Sequence, residues 1–472
     1  MKNPRLRQTG LGVLIMLLAG CVSYLPRPLA PADTAAAFEM RTLADPGLKA
    51  FVGSNLKSEV TPWPPATWDL PLLTLAALYE NPDLDVVRAQ WQAAQAGVTS
   101  AGARPNPTLA IGTQYSDASA GVSPWTLGFS LDIPIETAGK RGYRIARAEH
   151  LSEAARLGIG TNAWQVRAQV RARLLDLYAA REALAVLEKQ LATSEVNVRL
   201  LTQRGVTASL PDITQARIAL DQTRLAVLGA QSRSAEARAQ LAVAVGVPLA
   251  ALSDINFSFE VFDPLTLPPL PPGAELRREA LQNRPDILAA LAQYAAAESA
   301  LALEVAKQYP DIQLGPGYAW DQGATKWSLG FSLALPVFNR NQGPIAEAEA
   351  HRREFAARFK ALQARVIGTL ERALVGYRAA LAKLDAAEAL RVSQQRQYRT
   401  LQSMVRDGAA GRFALINAEL QLYASELARL DAQIAAAQAL GALEDAVERP
   451  LHPLDLFPLP SLVTDSDQQG AR

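Results

Sequence analysis

The ten residues WTLGFSLDIP at positions 125–134 return almost unchanged as WSLGFSLALP at positions 327–336. Within each copy the side chains alternate. Trp125, Leu127, Phe129, Leu131 and Ile133 fall on one side, and Thr126, Gly128, Ser130 and Asp132 on the other. In the second copy Trp327, Leu329, Phe331, Leu333 and Leu335 oppose Ser328, Gly330, Ser332 and Ala334. Period-two alternation of this kind marks a β-strand with one greasy face and one small, polar face. Each segment is preceded by a companion strand of the same pattern. Leu109, Ile111 and Tyr115 oppose Ala110, Gly112, Gln114 and Ser116, and Ile312, Leu314, Tyr318 and Trp320 oppose Gln313, Gly315, Gly317 and Ala319.

Strands of about nine residues with aromatic residues near their ends have the length and girdles of tilted membrane strands. A soluble hairpin lying on a core would bury the same apolar face, so alternation alone leaves both readings open. The uniformly small opposite face favours a lumen. Four strands cannot close a barrel in lipid, where open edges are not tolerated and the smallest membrane barrels have about eight strands. The chain must therefore assemble with copies of itself. Two copies supply eight strands and three supply twelve, and only the wider ring leaves room for solutes.

The duplication extends along the chain at an offset of 202 to 203 residues. Asn81-Pro82-Asp83-Leu84 recurs as Arg284-Pro285-Asp286-Ile287, Pro107 as Pro310, and Ile213, Ala216 and Leu220 as Leu415, Ala418 and Leu422. Each half thus follows one plan of helix, two strands, long helix, turn and returning helix. The long helices are predicted from about Tyr143 to Gln203, with Val170, Leu177, Leu184, Leu191 and Val198 at heptad spacing, and from about Ile345 to Val405, with Ile367, Leu374 and Leu381 beside Leu370, Tyr377 and Leu384. About 60 residues at 1.5 Å each reach roughly 90 Å. Glycines in 204–209 and 407–412 turn each helix back into an antiparallel hairpin. Returning helices are expected from about Pro211 to Val245 and, stacked end to end with it, from about Ala274 to Gln308. The proline-dense stretch from Pro248 to Pro272 reads as a linker, and Pro26 to Pro65 as an extended strap. The expected domains are 1–20 signal peptide, 21–68 extended N-terminal segment, 69–271 first repeat, and 272–472 second repeat with a C-terminal tail.

At the N-terminus, Lys2, Arg5 and Arg7 precede an apolar run from Leu11 to Leu18, the layout of a secretory signal. Leu18-Ala19-Gly20-Cys21 resembles a bacterial lipobox. That likeness implies cleavage before Cys21, acylation of this single cysteine, and, with Val22 rather than Asp following, sorting to the outer membrane. Several acyl chains at about 0.8 kcal/mol per buried CH₂ hold such a segment at a membrane. A net charge of +1 gives no long-range pull toward nucleic acid. The three histidines, His150, His351 and His452, are scattered, and no phosphate loop or convergent nucleophile and base stands out, so neither an enzyme, a cofactor nor a resident metal is expected.

Over its whole mature length the chain resembles the TolC family of trimeric outer-membrane factors, whose signature is this duplicated plan. The resemblance implies a mostly α fold with a small β part: a twelve-stranded barrel from three chains, continued by long antiparallel coiled-coil hairpins as a periplasmic tunnel. It implies a homotrimer that docks a periplasmic membrane-fusion adaptor and an inner-membrane resistance-nodulation-division pump. Pro105-Asn106-Pro107, Glu136-Thr137-Ala138-Gly139-Lys140-Arg141 and Pro336-Val337-Phe338-Asn339-Arg340-Asn341-Gln342-Gly343 look like the CzcC-type branch serving heavy-metal pumps. Multidrug export is the alternative within the family. A lipid-anchored adaptor or scaffold is the rival outside it, although adaptors carry blocks of short strands that this sequence lacks. By resemblance, the helical tips form the periplasmic gate and adaptor contact, which points to Gly205 and Asp212 at the first tip and to Arg406, Asp407, Gly408 and Arg412 at the second. Relatives carry two acidic residues where this chain has Ala414 and Asn417, a departure that puts an acidic ring there in doubt.

Overall fold

The computed structural model describes residues 24–57, 60–117, 123–203, 209–263, 269, 272–321 and 323–451. Its helices are α1 Pro31–Glu39, α2 Pro46–Leu56, α3 Leu70–Glu80, α4 Pro82–Ala101, α5 Lys140–Gln203, α6 Leu210–Val245, α7 Gly273–Asn283, α8 Pro285–Ala306, α9 Gln342–Arg406 and α10 Arg412–Val447. The strands are β1 Thr108–Tyr115, β2 Trp125–Ile135, β3 Ile312–Asp321 and β4 Ala324–Leu333. They form one antiparallel sheet in the order β1-β2-β3-β4, so the two halves of the duplication meet edge to edge between β2 and β3. Pairing between β2 and β3 lapses where Pro316, which has no N–H to donate, passes β2.

The α5/α6 and α9/α10 hairpins run away from this sheet, and α5 and α9, at 64 and 65 residues, are each about 95 Å long. Of the heptad residues, Val170 and Leu177 in α5 and Leu370, Leu374, Tyr377 and Leu384 in α9 are buried, whereas Leu184, Leu191, Val198, Ile367 and Leu381 are half-buried. The largest core lies midway along the molecule, where α2, α3, the middle of α5 and the end of α6 enclose Trp68, Leu73, Leu174, Leu241 and Phe262. A second core repeats it with α7, α9 and α10 around Leu276, Leu370, Tyr377 and Leu443. Toward the tips only small clusters such as Leu187, Val227 and Ala230 hold the hairpin together.

Three expectations are corrected. The segment read as an extended strap contains α1 and α2, because Pro31 and Pro46 occupy first-turn positions that need no N–H donor and the Asp45 carboxylate caps Leu48 N. The helix expected across 274–308 is two, because Pro285 removes a donor and keeps Arg284 extended at ψ 127°. The stacking partner of the returning helix also differs. α6 abuts α4 of its own repeat, where Asn81 Nδ2 donates to the Ala244 carbonyl at 3.2 Å, and α10 abuts α8 in the same way. Gly246, at φ +89°, makes the first junction possible, since a Cβ there would lie 2.8 Å from the Glu80 carbonyl oxygen. The proline-dense stretch also packs on the core, with Trp68 N donating to Asn256 O at 2.8 Å and Ser258 N to Trp68 O at 2.9 Å.

Candidate functional site

The register aligns like with like across the sheet. One row runs Ile111, Phe129, Tyr318, Trp327, and the next Leu109, Leu131, Pro316, Leu329. On the opposite face the rows read Ala110, Ser130, Gly317, Ser328, then Thr108, Asp132, Gly315, Gly330. Among the described residues no helix covers the apolar side, and Trp327, Leu329 and Phe331 are 80, 71 and 75% exposed. A soluble hairpin would have buried them. Burying such side chains is worth about 1.5–3 kcal/mol each, so this face needs a partner outside the chain. Both edges, β1 and β4, have unpaired neighbours on one side.

The sheet joins the helices through a set of clamps that explains two of the singled-out motifs. After β2 the chain turns through Ala138 at φ 55° and Gly139 at φ 72° into α5. Lys140 is buried there, and its ammonium donates to Tyr309 O at 2.5 Å and to Asp311 Oδ1 at 2.7 Å. Thr137 adds its N–H to Asp311 at 2.9 Å and its hydroxyl to Pro310 O at 2.7 Å. Partial burial pushes the Asp311 carboxyl upward, but the Lys140 and Thr137 donors outweigh it and hold it below the ordinary value. Arg141 Nε reaches Gly102 O at 2.7 Å, and Arg144 forms a two-pronged pair with Glu136. That hydrogen bond is the largest cause keeping the Glu136 carboxyl low. In the second repeat Asn341, at φ 64°, donates to Glu304 O at 2.7 Å and Glu304 Oε2 at 2.9 Å. These roles were invisible in the sequence, where the motifs stood out only by resemblance.

At the far end, α6 begins with Ser209, whose hydroxyl accepts from Asp212 N at 3.2 Å. The second tip closes with Asp407 N on Ser403 O, Gly408 at φ +73°, and Ala409 N on Met404 O at 2.7 Å. The two hairpins end at the same level: Leu427 of α10 packs on the cluster of Leu187 from α5 and Val227 from α6, and all three lie about 15 to 17 residues from their own helix ends at Arg412, Gln203 and Leu210. The structure therefore brings Asp212, Arg406, Asp407, Gly408 and Arg412 to one end of the molecule, opposite the sheet. Asp212, Arg406, Asp407 and Arg412 are exposed and have no ion pair among the described residues. Gly205, Cys21 and His452 lie outside the described residues.

A buried charge cluster ties α5, α8 and α10 together and had no signal in the sequence beyond isolated charges in apolar helices. Arg167 and Arg171 reach Glu444 at 3.2 and 3.4 Å with almost no exposure, and Trp164 Nε1 donates to Asp445 at 3.0 Å. Arg284 meets Asp286 at 2.7 Å and Glu448 at 3.0 Å. Among the described residues no group of His, Cys, Asp and Glu is arranged to hold a metal ion, and no helix is long and apolar enough to cross a membrane.

A family model described as outer membrane efflux protein matches residues 73–247 and 276–447. The chain is 28% identical over 282 residues to the cobalt-zinc-cadmium resistance protein CzcC of Cupriavidus metallidurans, a match covering 58% of this chain and 64% of that protein, just under two thirds of its length. It is 24% identical over 454 residues to the probable outer membrane lipoprotein SilC of Salmonella typhimurium, covering 88% of this chain and 93% of that one. The solved structure of CusC, described in terms of folding and transmembrane channel formation, superposes with a TM-score of 0.67 at 18% identity over 91% of this chain and all of that one. The fold is shared.

Proposed function

Because this chain belongs to the outer membrane efflux protein family, we propose that it is the outer-membrane exit duct of a tripartite efflux system and that its cargo is heavy-metal cations. Three copies bring their four strands together as a twelve-stranded barrel, and the hairpins continue it as a tunnel across the periplasm. Acylated Cys21 anchors the segment ahead of α1 in the outer membrane. The tips around Gly205, Asp212, Arg406, Asp407, Gly408 and Arg412 meet a periplasmic membrane-fusion adaptor, which couples the duct to an inner-membrane resistance-nodulation-division pump. The duct is passive and performs no catalysis, so it needs no cofactor; a cation passes through and is not held.

One observation carries this reading: a sheet whose apolar face is bare, with Trp327 80% exposed, and whose edges are open can exist only in lipid and beside other sheets. An adaptor or scaffold has no use for such a surface. The metal cargo follows the resistance proteins to which the chain is similar, CzcC being named for cobalt, zinc and cadmium. Deleting the gene is expected to sensitise cells to zinc, cobalt, cadmium, nickel or copper. Sensitivity confined to organic antimicrobials would replace the metal cargo with drugs.

A further inference from the structure

On the small, polar face of the sheet only three described side chains carry charge: Asp132, Asp321 and Lys326. Two of them cancel. Lys326 Nζ lies 2.6 Å from Asp321 Oδ2, while the Thr126 hydroxyl donates to Asp321 Oδ1 at 2.7 Å. Asp132 stands elsewhere, near the helical end of β2, exposed and with no hydrogen bond or ion pair of its side chain among the described residues. It pairs with Thr108, and the register carried across the lapse between β2 and β3 sets Gly315 and Gly330 at its level, so no long side chain at that level screens it. Along the strands the Lys326 row, which contains Gly128, is four residues away, about 13 Å, more than the Debye length of about 8 Å at physiological ionic strength.

We propose that Asp132 determines the charge preference of the barrel lumen: three copies place three uncompensated carboxylates at one level of the wall, favouring cationic over anionic solutes there. This rests on the barrel reading above. A glycine-lined wall with low-dielectric surroundings focuses the field of a charge across the lumen. The consequence is a local excess of cations just where the barrel opens into the helical tunnel.

The test places a thiol beside Asp132 and reads the field with charged reagents. Ser130 is two residues away on the same face, so Ser130→Cys is probed in proteoliposomes with a cationic and an anionic methanethiosulfonate, after subtracting the parent chain's own reaction. At low salt the cationic-to-anionic rate ratio is expected to exceed that of a free thiol by roughly fivefold, for unit charges about 7 Å apart in water. Adding Asp132→Asn should return it to the free-thiol value, and raising salt should do the same with Asp132 intact. A ratio indifferent to both, or a thiol that reacts with neither reagent, overturns the proposal. Leu329→Cys, on the opposite face, separates the two readings: it should resist both reagents in lipid, and reactivity equal to that of Ser130→Cys would instead remove the barrel.

Discussion

The guanidinium of Arg284 donates to the Ala446 carbonyl at 2.7 Å, closing the end of α10 onto the start of α8. The same joint in the first repeat is made by Asn81 on Ala244, 203 residues earlier. The duplication is therefore preserved as a mechanical device even where the residue has changed. A buried amide serves one joint and an arginine the other, which also satisfies Asp445 O at 3.0 Å and the carboxylates of Asp286 and Glu448.

Arg284→Ala removes two carbonyl partners and leaves two carboxylates without their cation, a change that costs about 3–5 kcal/mol when a buried pair is broken. Asn81→Ala removes one hydrogen bond and the cap on Asp83 N, about 1–2 kcal/mol. Arg284→Ala should accordingly lower the midpoint of heat-induced dissociation of the purified protein further than Asn81→Ala. An equal or smaller effect would show that the arginine joint is no stronger than the amide one.

Gly441 is the residue that admits Arg171 to the core. A Cβ on Gly441 would overlap Arg171 Nη1, so Gly441→Ala displaces the guanidinium from Glu444 and from the Ala437 carbonyl, which it meets at 2.8 Å. We expect a loss of about 2–4 kcal/mol, and a double variant with Arg171→Ala that costs much less than the sum of the two. Additive costs, measured by denaturant unfolding in detergent, would mean that the glycine serves some other purpose.

Burial pushes the Glu448 carboxyl up to about 7 despite Arg284 at 3.0 Å. Because the folded value lies above the unfolded one, the folded state holds the proton more tightly: its contribution is complete below about pH 4 and is lost as pH rises to about 7. The loss is on the order of 2–3 kcal/mol. Glu136 and Asp311, held low, act in the opposite sense and give up their contribution only at more acidic pH. Glu448→Gln should flatten the stability profile between about pH 5 and 7. A profile that keeps its slope in the variant would place the titration elsewhere.

Much of this architecture is legible before any coordinates. The strands announce themselves because a lumen wall permits only small residues such as Gly128, Ser130 and Gly330, while the opposite side carries Trp125, Phe129 and Trp327. The long helices follow from a heptad seam that must stay in register over 60 residues. Joints were harder. Neither Asn81 nor Arg284 reveals in sequence which helix end it will meet, since that depends on contacts 163 and 162 residues away. The clamps of Lys140 and Asn341 likewise join elements distant in the chain. Asp212, Arg406, Asp407, Gly408 and Arg412 stand at the turn ends, but the exposed charged side chains there make no ion pair among the described residues that could assign them a task.

The most direct measurement is the detergent-corrected mass of the purified Cys21→Ser protein exported on a signal that is cut without need of the cysteine, so that neither lipid nor signal remains and the sheet alone must hold it in a membrane. The expected result is a particle that leaves the membrane only with detergent and contains three copies of the mature chain. A water-soluble particle of one chain, extracted without detergent, would contradict it, because the exposed face of Trp327, Leu329 and Phe331 would then have found cover within its own chain.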